Sequence, residues 1–336
     1  AAAAPRKPCM SRKNSAKSAP AASNTEGVGL QEGLVVGSHG RHCVVESADG
    51  NRRICHPRGK KNQALVGDRV LWLPAPPGQG EEGSIEKVQA RRNLLYRQDE
   101  IRTKSFAANI DQVLILIAAE PVFSESQLAR ALIAAEAAGI PPIIALNKSD
   151  LTAPFAQAWE RLAAYRAITD EEGQPHYRTL GLNLAQPSDA QTALLAQLLA
   201  DKATLVLGPS GSGKSTLINL LIPQAPAATG EISQALNSGR HTTTTTTWYW
   251  LDGARRSALI DSPGFQEFGL RHIAPTALAH FMPDIHQHAS SCKFYNCTHL
   301  HEPGCAVLAQ VGHSINAQRH RLYAALFEEL SAPVNY

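Results

Sequence analysis

The order of two short motifs constrains this chain more than any other feature. The aliphatic run PPIIAL ends in Asn147, Lys148, Ser149 and Asp150, and only later does the run TLVL lead into GPSGSGKST. The later motif has the spacing Gly208-x-x-x-x-Gly213-Lys214-Ser215. It follows a predicted strand and opens a predicted helix, the context that marks a phosphate loop. Over Gly208, Pro209, Ser210, Gly211, Ser212 and Gly213, backbone N–H groups form an anion cradle at a helix N-terminus, with Thr216 in its first turn. Lys214 is placed to reach the β- and γ-phosphates and the Ser215 hydroxyl to ligate Mg²⁺. The earlier motif supplies base reading. Asp150 can accept from guanine N1–H and the exocyclic amine, a pairing that adenine cannot make. Asn147 reaches toward the opposite edge, and the Lys148 stem lies along the base plane.

The phosphate loop ordinarily comes first in such domains, and the base-reading loop near the end. Here the linear order is NKSD, phosphate loop, Thr-rich segment, and then Asp261-Ser-Pro-Gly264. Asp261 closes a predicted strand and can hold Mg²⁺ through a water, and the Gly264 N–H can sense the γ-phosphate. Chain termini in compact domains often lie close together, so rotating the chain about its ring of elements preserves the site. The order predicts a circularly permuted P-loop GTPase domain.

The remaining sequence divides around that domain. A chain of 336 residues suggests two or three domains. Residues 1–30 read as a basic disordered tail, rich in Ala, Ser, Pro and Lys. Residues 31–98 read as five or so short strands, one hairpin turning at Asp49-Gly50, which fits a small OB-fold barrel or an SH3-like one. From residue 105 to 270 strands alternate with helices, the α/β pattern of a largely parallel sheet. The helix from Ser124 carries a capping box with Gln127 and stops at Gly139. Residues 271–336 hold a Cys/His cluster and a final helix. Charge is uneven. Residues 1–104 carry 18 Lys+Arg against 10 Asp+Glu, and residues 105–336 carry 14 against 19. With Arg41, Arg52, Arg53, Arg58, Lys60, Lys61, Arg69, Arg91 and Arg92 in or beside the barrel, the front of the chain reads as a phosphate-tracking RNA surface. No apolar run is long enough to cross a bilayer, and no signal-peptide core is visible, so a cytoplasmic protein is expected.

Cys292-x4-Cys297, then His299 or His301, then Cys305 form a set of three thiolates and one imidazole. In a chain without a secretory signal this reads as a closed, tetrahedral structural zinc site rather than as disulfides.

The whole arrangement resembles the ribosome small-subunit-dependent GTPase A family (RsgA/YjeQ). The stretches that carry the resemblance are VGDRV, RRNLLYRQDEIRTKSFAANIDQVLI, NKSDL, GPSGSGKSTLINLL, GRHTTTT, DSPGFQEFGL and CKFYNCTHLHEPGCAV. The resemblance implies a Mg²⁺-dependent GTPase taking GTP to GDP, with one structural zinc. It implies action in late maturation of the small ribosomal subunit, with hydrolysis timing release. The partners implied are that subunit, its rRNA and other maturation factors, for a cytoplasmic monomer with no membrane contact. By the family pattern His299 is the zinc imidazole, His241 positions the attacking water alongside Lys214, and Thr242 or Thr243 senses Mg²⁺. Phe265 stands where Ras-like enzymes carry the water-orienting glutamine, which keeps a GTP-holding rRNA scaffold with little turnover as the alternative. The stretch YRTLGLNLAQPSD lacks the Ser-Ala that usually backs the guanine, and the run of six threonines is longer than usual.

Overall fold

The computed structural model describes residues 29–40, 42–59, 63–75, 82–223, 245–265 and 268–333. Residues 1–28 of the expected tail, Arg41, Lys60, Lys61, His241, Thr242 and Thr243 lie outside these residues.

Five strands build the first unit: β1 (Gln31–His39), β2 (His42–Ser47), β3 (Arg52–Pro57), β4 (Arg69–Leu73) and β5 (Gly83–Val88). They pair in the order β1-β2-β3-β5-β4 and close through β4 onto β1. The parallel β3–β5 pair among antiparallel neighbours makes this an OB-like barrel. Alternate residues point inward, and Val35, Val45, Cys55, Val70, Trp72 and Ile85 form its core.

Two of the arginines on the expected phosphate-tracking surface also brace the structure. Arg91 makes two hydrogen bonds, of 2.7 and 2.8 Å, to the fully buried carboxylate of Asp68. Arg92 donates to Asp111 at 2.7 Å and to the Asn109 carbonyl at 3.0 Å. Arg52, Arg53 and Arg69 remain exposed on the barrel.

A hairpin of β6 (Leu94–Gln98) and β7 (Thr103–Ala108) leads to the second unit. Its elements follow as β8 (Gln112–Ala118), α1 (Glu125–Ala137), β9 (Pro142–Asn147), α2 (Thr152–Arg161), α3 (Ala163–Arg166), β10 (Arg178–Gly181) and α4 (Asp189–Leu199). Next come β11 (Ala203–Leu207), α5 (Lys214–Leu221), β12 (Thr247–Trp250) and β13 (Ala258–Asp261). The strands line up as β10-β9-β8-β11-β13-β12, parallel except for β12. Strands β8 and β9 are buried along their whole length, as their continuous aliphatic sequence requires. Ser124 caps α1 by accepting from the Gln127 N–H, and Gly139 follows with φ +65°.

The sequence PFAQAWERLAAYRAI reads as one helix, but the structure interrupts it at Leu162; Leu162 and Tyr165 both lie in the core. The β12–β13 hairpin turns through residues 251–257, where the Asp252 carboxylate accepts from the Arg256 and Ser257 N–H groups. The turn falls at Asp252 and Gly253, as the sequence suggests.

The barrel and the α/β sheet are continuous, because β1 also pairs with β12 at Gly37 and Thr247. Beside this joint the buried carboxylate of Glu46 accepts from Trp250 Nε1 at 2.7 Å and from Arg52 Nε at 2.8 Å.

The C-terminal module holds a 3-10 segment (Pro275–Phe281), α6 (Pro283–Ala289), α7 (Ala306–Gln310) and α8 (Ala317–Ser331), the last capped by Asn316. A buried ion pair fastens it. Arg319 donates twice to Asp284, at 2.6 Å each, and its guanidinium lies 4.6 Å from the Tyr165 ring centroid. A second tie joins Arg130 of α1 to Glu329 of α8. Arg319→Ala leaves Asp284 buried without its partner and should destabilise the fold by about 3–5 kcal/mol. The paired replacement Arg319→Met with Asp284→Leu should cost much less. Calorimetric unfolding of the three proteins provides the check.

Candidate functional site

The carboxyl ends of β9, β11 and β13, with the loop after β10, open into one cleft of about 810 Å³. Ligands in open α/β sheets bind at this edge. Its walls come from four segments far apart in sequence: Asn147, Lys148, Asp150 and Leu151; Ala185; Ser210, Gly211 and Gly213 to Thr216; and Asp261, Ser262 and Gly264.

Asn147 holds these segments together. It is buried, and its Nδ2 donates to the Ser212 carbonyl at 3.0 Å. Its Oδ1 accepts from the Leu184 N–H at 3.1 Å. One side chain therefore joins the base-reading loop, the phosphate loop and the loop after β10. Gly213 must be glycine for this: it has φ +105°, and a Cβ there would lie 2.3 Å from Asn147 Nδ2. The sequence places Asn147 at a guanine edge, but the geometry commits half of its amide to bracing. The second N–H remains available toward the cleft. Ser149 also acts through its backbone, donating to the Leu182 carbonyl at 3.0 Å. Asp150 is exposed at the mouth, and its carboxylate oxygens accept no hydrogen bond from the described residues.

In the phosphate loop Lys214 curls back. Its ammonium donates to the carbonyls of Gly208 at 2.7 Å and Pro209 at 2.9 Å. Burial pulls its pKa below the ordinary lysine value, and the facing Asp261 opposes that shift. Burial pushes the Asp261 carboxyl up to about 6, partly offset by Lys214. A carboxyl held in this way favours a cation beside it, which suits a divalent-ion position. Ser262 ties the segment down by donating to the Val206 carbonyl at 2.6 Å. Gly264 faces the loop so closely that a Cβ there would lie 3.2 Å from Lys214 Nζ. A γ-phosphate drawn to that ammonium would therefore also meet Gly264.

Phe265 points away from the cleft. It is buried and packs edge-on against Phe268 at 5.3 Å, which in turn stacks on Phe106 at 5.6 Å. Ala185 and Leu151 are wall residues that the sequence did not single out. Without a Ser-Ala pair, the signal for Ala185 was only its position just beyond a short parallel strand.

The four zinc candidates converge in the C-terminal module. Cys292, Cys297, His299 and Cys305 bring one ligand atom each within 4.8 Å of one another. Cys292 and Cys305 sulfurs are 3.8 Å apart, and His299 Nδ1 lies 3.4 and 3.6 Å from them. A tetrahedron with zinc–sulfur and zinc–nitrogen bonds of ordinary length has edges of about 3.8 and 3.6 Å, so the set fits structural zinc. The loop is braced around it: Glu302 accepts from the N–H groups of Thr298, Leu300 and His301, and His320 contacts the His299 carbonyl at 2.8 Å. His301 is exposed and outside the cluster.

The RsgA GTPase family model matches residues 88–271. A protein named small ribosomal subunit biogenesis GTPase RsgA from Variovorax paradoxus (strain S110) is 66% identical over 307 residues, covering 90% of this chain and 93% of the relative. The protein of the same name from Burkholderia pseudomallei (strain K96243) is 51% identical, over 89% of this chain and 92% of its own. Among solved structures, YjeQ from Thermotoga maritima superposes with a TM-score of 0.67 at 26% identity, covering 90% of this chain and 99% of that one. YloQ, described as a circularly permuted GTPase, gives 0.64 at 27% identity over 94% of this chain and all of its own.

Two predictions follow from the geometry. Asp150→Asn exchanges an acceptor for a donor and should move preference from guanosine to xanthosine nucleotides, while Asn147→Ala should weaken both, about tenfold or more, by releasing two loops at once. Equilibrium titration with fluorescent nucleotides distinguishes the two patterns. Separately, Cys297→Ser or strong chelation should lower the stability of the C-terminal module while nucleotide binding persists, and elemental analysis of the native protein should find one zinc per chain.

Proposed function

Since the chain belongs to the RsgA GTPase family and is a GTPase of small-subunit biogenesis, we propose that it binds the immature small ribosomal subunit through rRNA and that GTP hydrolysis times its release. The observation that carries this reading is the single cleft in which Asn147 joins a guanine-reading loop to a phosphate loop. Residues 105–270 would form the catalytic domain between an RNA-binding barrel at 31–98, preceded by a basic tail at 1–30, and a zinc module at 271–336. The protein would act as a monomer in the cytoplasm, alongside other maturation factors. No described helix is long and apolar enough to cross a membrane.

In this reading Asp150 and Asn147 select guanine, and Ala185 and the Lys148 stem flank the base. Lys214 leaves the Gly208 and Pro209 carbonyls for the β- and γ-phosphates, and Gly264 donates to the γ-phosphate. Ser215, Asp261 and either Thr242 or Thr243 would hold Mg²⁺. When bound, that ion neutralises charge shared between the β- and γ-phosphates. His241, in the segment leading to β12, would orient the attacking water, because the buried Phe265 cannot.

Phe265 also favours a second reading, a GTP-holding rRNA scaffold that barely turns over. A multiple-turnover assay separates them. Without a partner, hydrolysis should be slow, on the order of 10⁻⁴ to 10⁻² s⁻¹, as in GTPases without an activator. Small subunits should raise it by ~10²-fold, within the range of general acid–base and positioning effects. ATP should not substitute. His241→Ala should lose the stimulated rate while retaining GTP affinity and subunit binding. No stimulation of the wild type by subunits would leave the scaffold reading standing. Neutralising Arg53 and Arg69 should weaken subunit binding and flatten its dependence on salt.

A further inference from the structure

The zinc loop carries side chains that neither metal binding nor packing explains. Between the ligands Cys292 and Cys297 lie Lys293, Phe294, Tyr295 and Asn296, all exposed. Tyr295 is fully exposed, at 103% of its reference surface, and Phe294 is 41% exposed. Among the described residues Tyr295 has no hydrogen bond or ring contact. A core does not need these residues, and a solvent-facing turn would ordinarily be built from small polar ones.

The loop that presents them is rigid. Both ends are ligands of the Cys3His cluster, the Lys293 N–H donates to the Gly304 carbonyl at 3.1 Å, and the Cys297 N–H donates to Phe294 at 3.3 Å. The Lys293 stem lies over Gly304, where a Cβ would come within 3.2 Å of it, and its ammonium sits 5.6 Å from the Phe294 ring centroid. A bare aromatic ring, a second partly exposed ring, a cation and the Asn296 amide thus stand on four consecutive residues of one turn.

We propose that this tip, with Tyr295 as its anchor, stacks on an unpaired nucleobase of RNA. The inference rests on the reading that the chain binds small-subunit rRNA, and it names a second contact remote in sequence from the barrel arginines. Chemistry favours a base over a protein segment. A protein anchor works within a contiguous apolar surface that excludes water, whereas Phe294 is the one other exposed apolar side chain on this loop and its remaining neighbours are Lys293, Asn296 and the polar Thr298. Every base offers a π-face to an aromatic ring, and an adjacent cation favours the nearby phosphate. Single-stranded RNA is commonly read in this way, with splayed bases stacked on exposed aromatics. The contact differs from the barrel's in kind: stacking at Tyr295 displaces no counterions, so it should contribute affinity without salt dependence.

The test uses the full zinc-loaded chain as wild type, Tyr295→Ala, Tyr295→Phe and Tyr295→Leu. Zinc content and basal GTP hydrolysis in each variant confirm an intact fold. Binding is measured to purified small subunits and, separately, to an unstructured RNA oligonucleotide and its duplex form. Tyr295→Ala should weaken binding to subunits and to unpaired RNA by roughly 5- to 150-fold, the effect of losing one base stack. The salt slope should stay unchanged, Phe should restore binding, and Leu should not. Retention of binding by Ala would overturn the inference. Retention by Leu would overturn it equally, pointing to a protein contact instead. Failure of the wild type to bind subunits would sink the proposed function, and the oligonucleotide arm would still decide the role of Tyr295.

Discussion

The nucleotide site depends on one buried amide. Asn147 sits at the end of β9, donates to the Ser212 carbonyl in the phosphate loop and accepts from Leu184 beyond β10. Both partners are backbone groups, so the two loops are fixed relative to each other rather than through the positions of flexible side chains. Removing the amide would leave a buried carbonyl and a buried N–H without partners, each costing about 1–3 kcal/mol. The glycine at 213 follows from the same contact, since no Cβ fits against Asn147 there. A base-reading loop and a phosphate loop that met only through the ligand would need the ligand to order both. Here they are joined in advance, which lowers the ordering cost of binding.

This contact also explains why the altered chain order does not disturb the site. What matters to the nucleotide is that β9, β11 and β13 deliver their loops to one edge of the sheet, with β8 between β9 and β11. Parallel pairing of β8 with β11 and of β11 with β13 fixes those positions regardless of which strand the ribosome makes first. The permutation instead changes what lies next to the ends. The chain now enters the domain at β8 directly from the barrel and its β6–β7 hairpin. It leaves after β13 through Phe265 and Phe268, which pack back on Phe106 of that hairpin. The entering and leaving segments therefore share one apolar cluster, and the barrel and zinc module are added at that junction.

Much of this was legible in the sequence because the informative signals were local. Strand-then-glycine-loop-then-helix identifies the phosphate loop wherever it falls in the chain, and closely spaced cysteines with one histidine identify the zinc set. The continuous aliphatic runs at β8 and β9 gave a parallel sheet without ambiguity. What could not be read was set by tertiary neighbours. Arg91 and Arg92 look like RNA-facing residues in a basic stretch, yet Asp68 and Asp111 capture them. Asn147 carries a base-reading signature, and nothing in its tetrapeptide shows that much of its amide faces Ser212 and Leu184. The break at Leu162 has no Gly or Pro to announce it. Ala185 has no motif at all.

The burial of Phe265 assigns the segment after Asp261 a fixed, anchoring role. Phe265 and Phe268 hold it to the β6–β7 hairpin, and Arg130 donates to the Phe268 carbonyl at 3.4 Å while also binding Glu329 of the last helix. A segment anchored in this way can carry Gly264 toward the phosphates, and the buried Phe265 ring has no hydrogen-bonding group to offer an attacking water. The proposed water-positioning residue, His241, lies in the sequence just before β12. That strand begins at Thr247, the residue paired with Gly37 of the barrel, and it ends at Trp250, hydrogen-bonded to the barrel's Glu46. Glu46 in turn holds Arg52, which is exposed on the same barrel. Strand β12, which follows the stretch carrying the proposed His241, is thus moored to the barrel at both of its ends, by strand pairing at Thr247 and by the Glu46 carboxylate at Trp250.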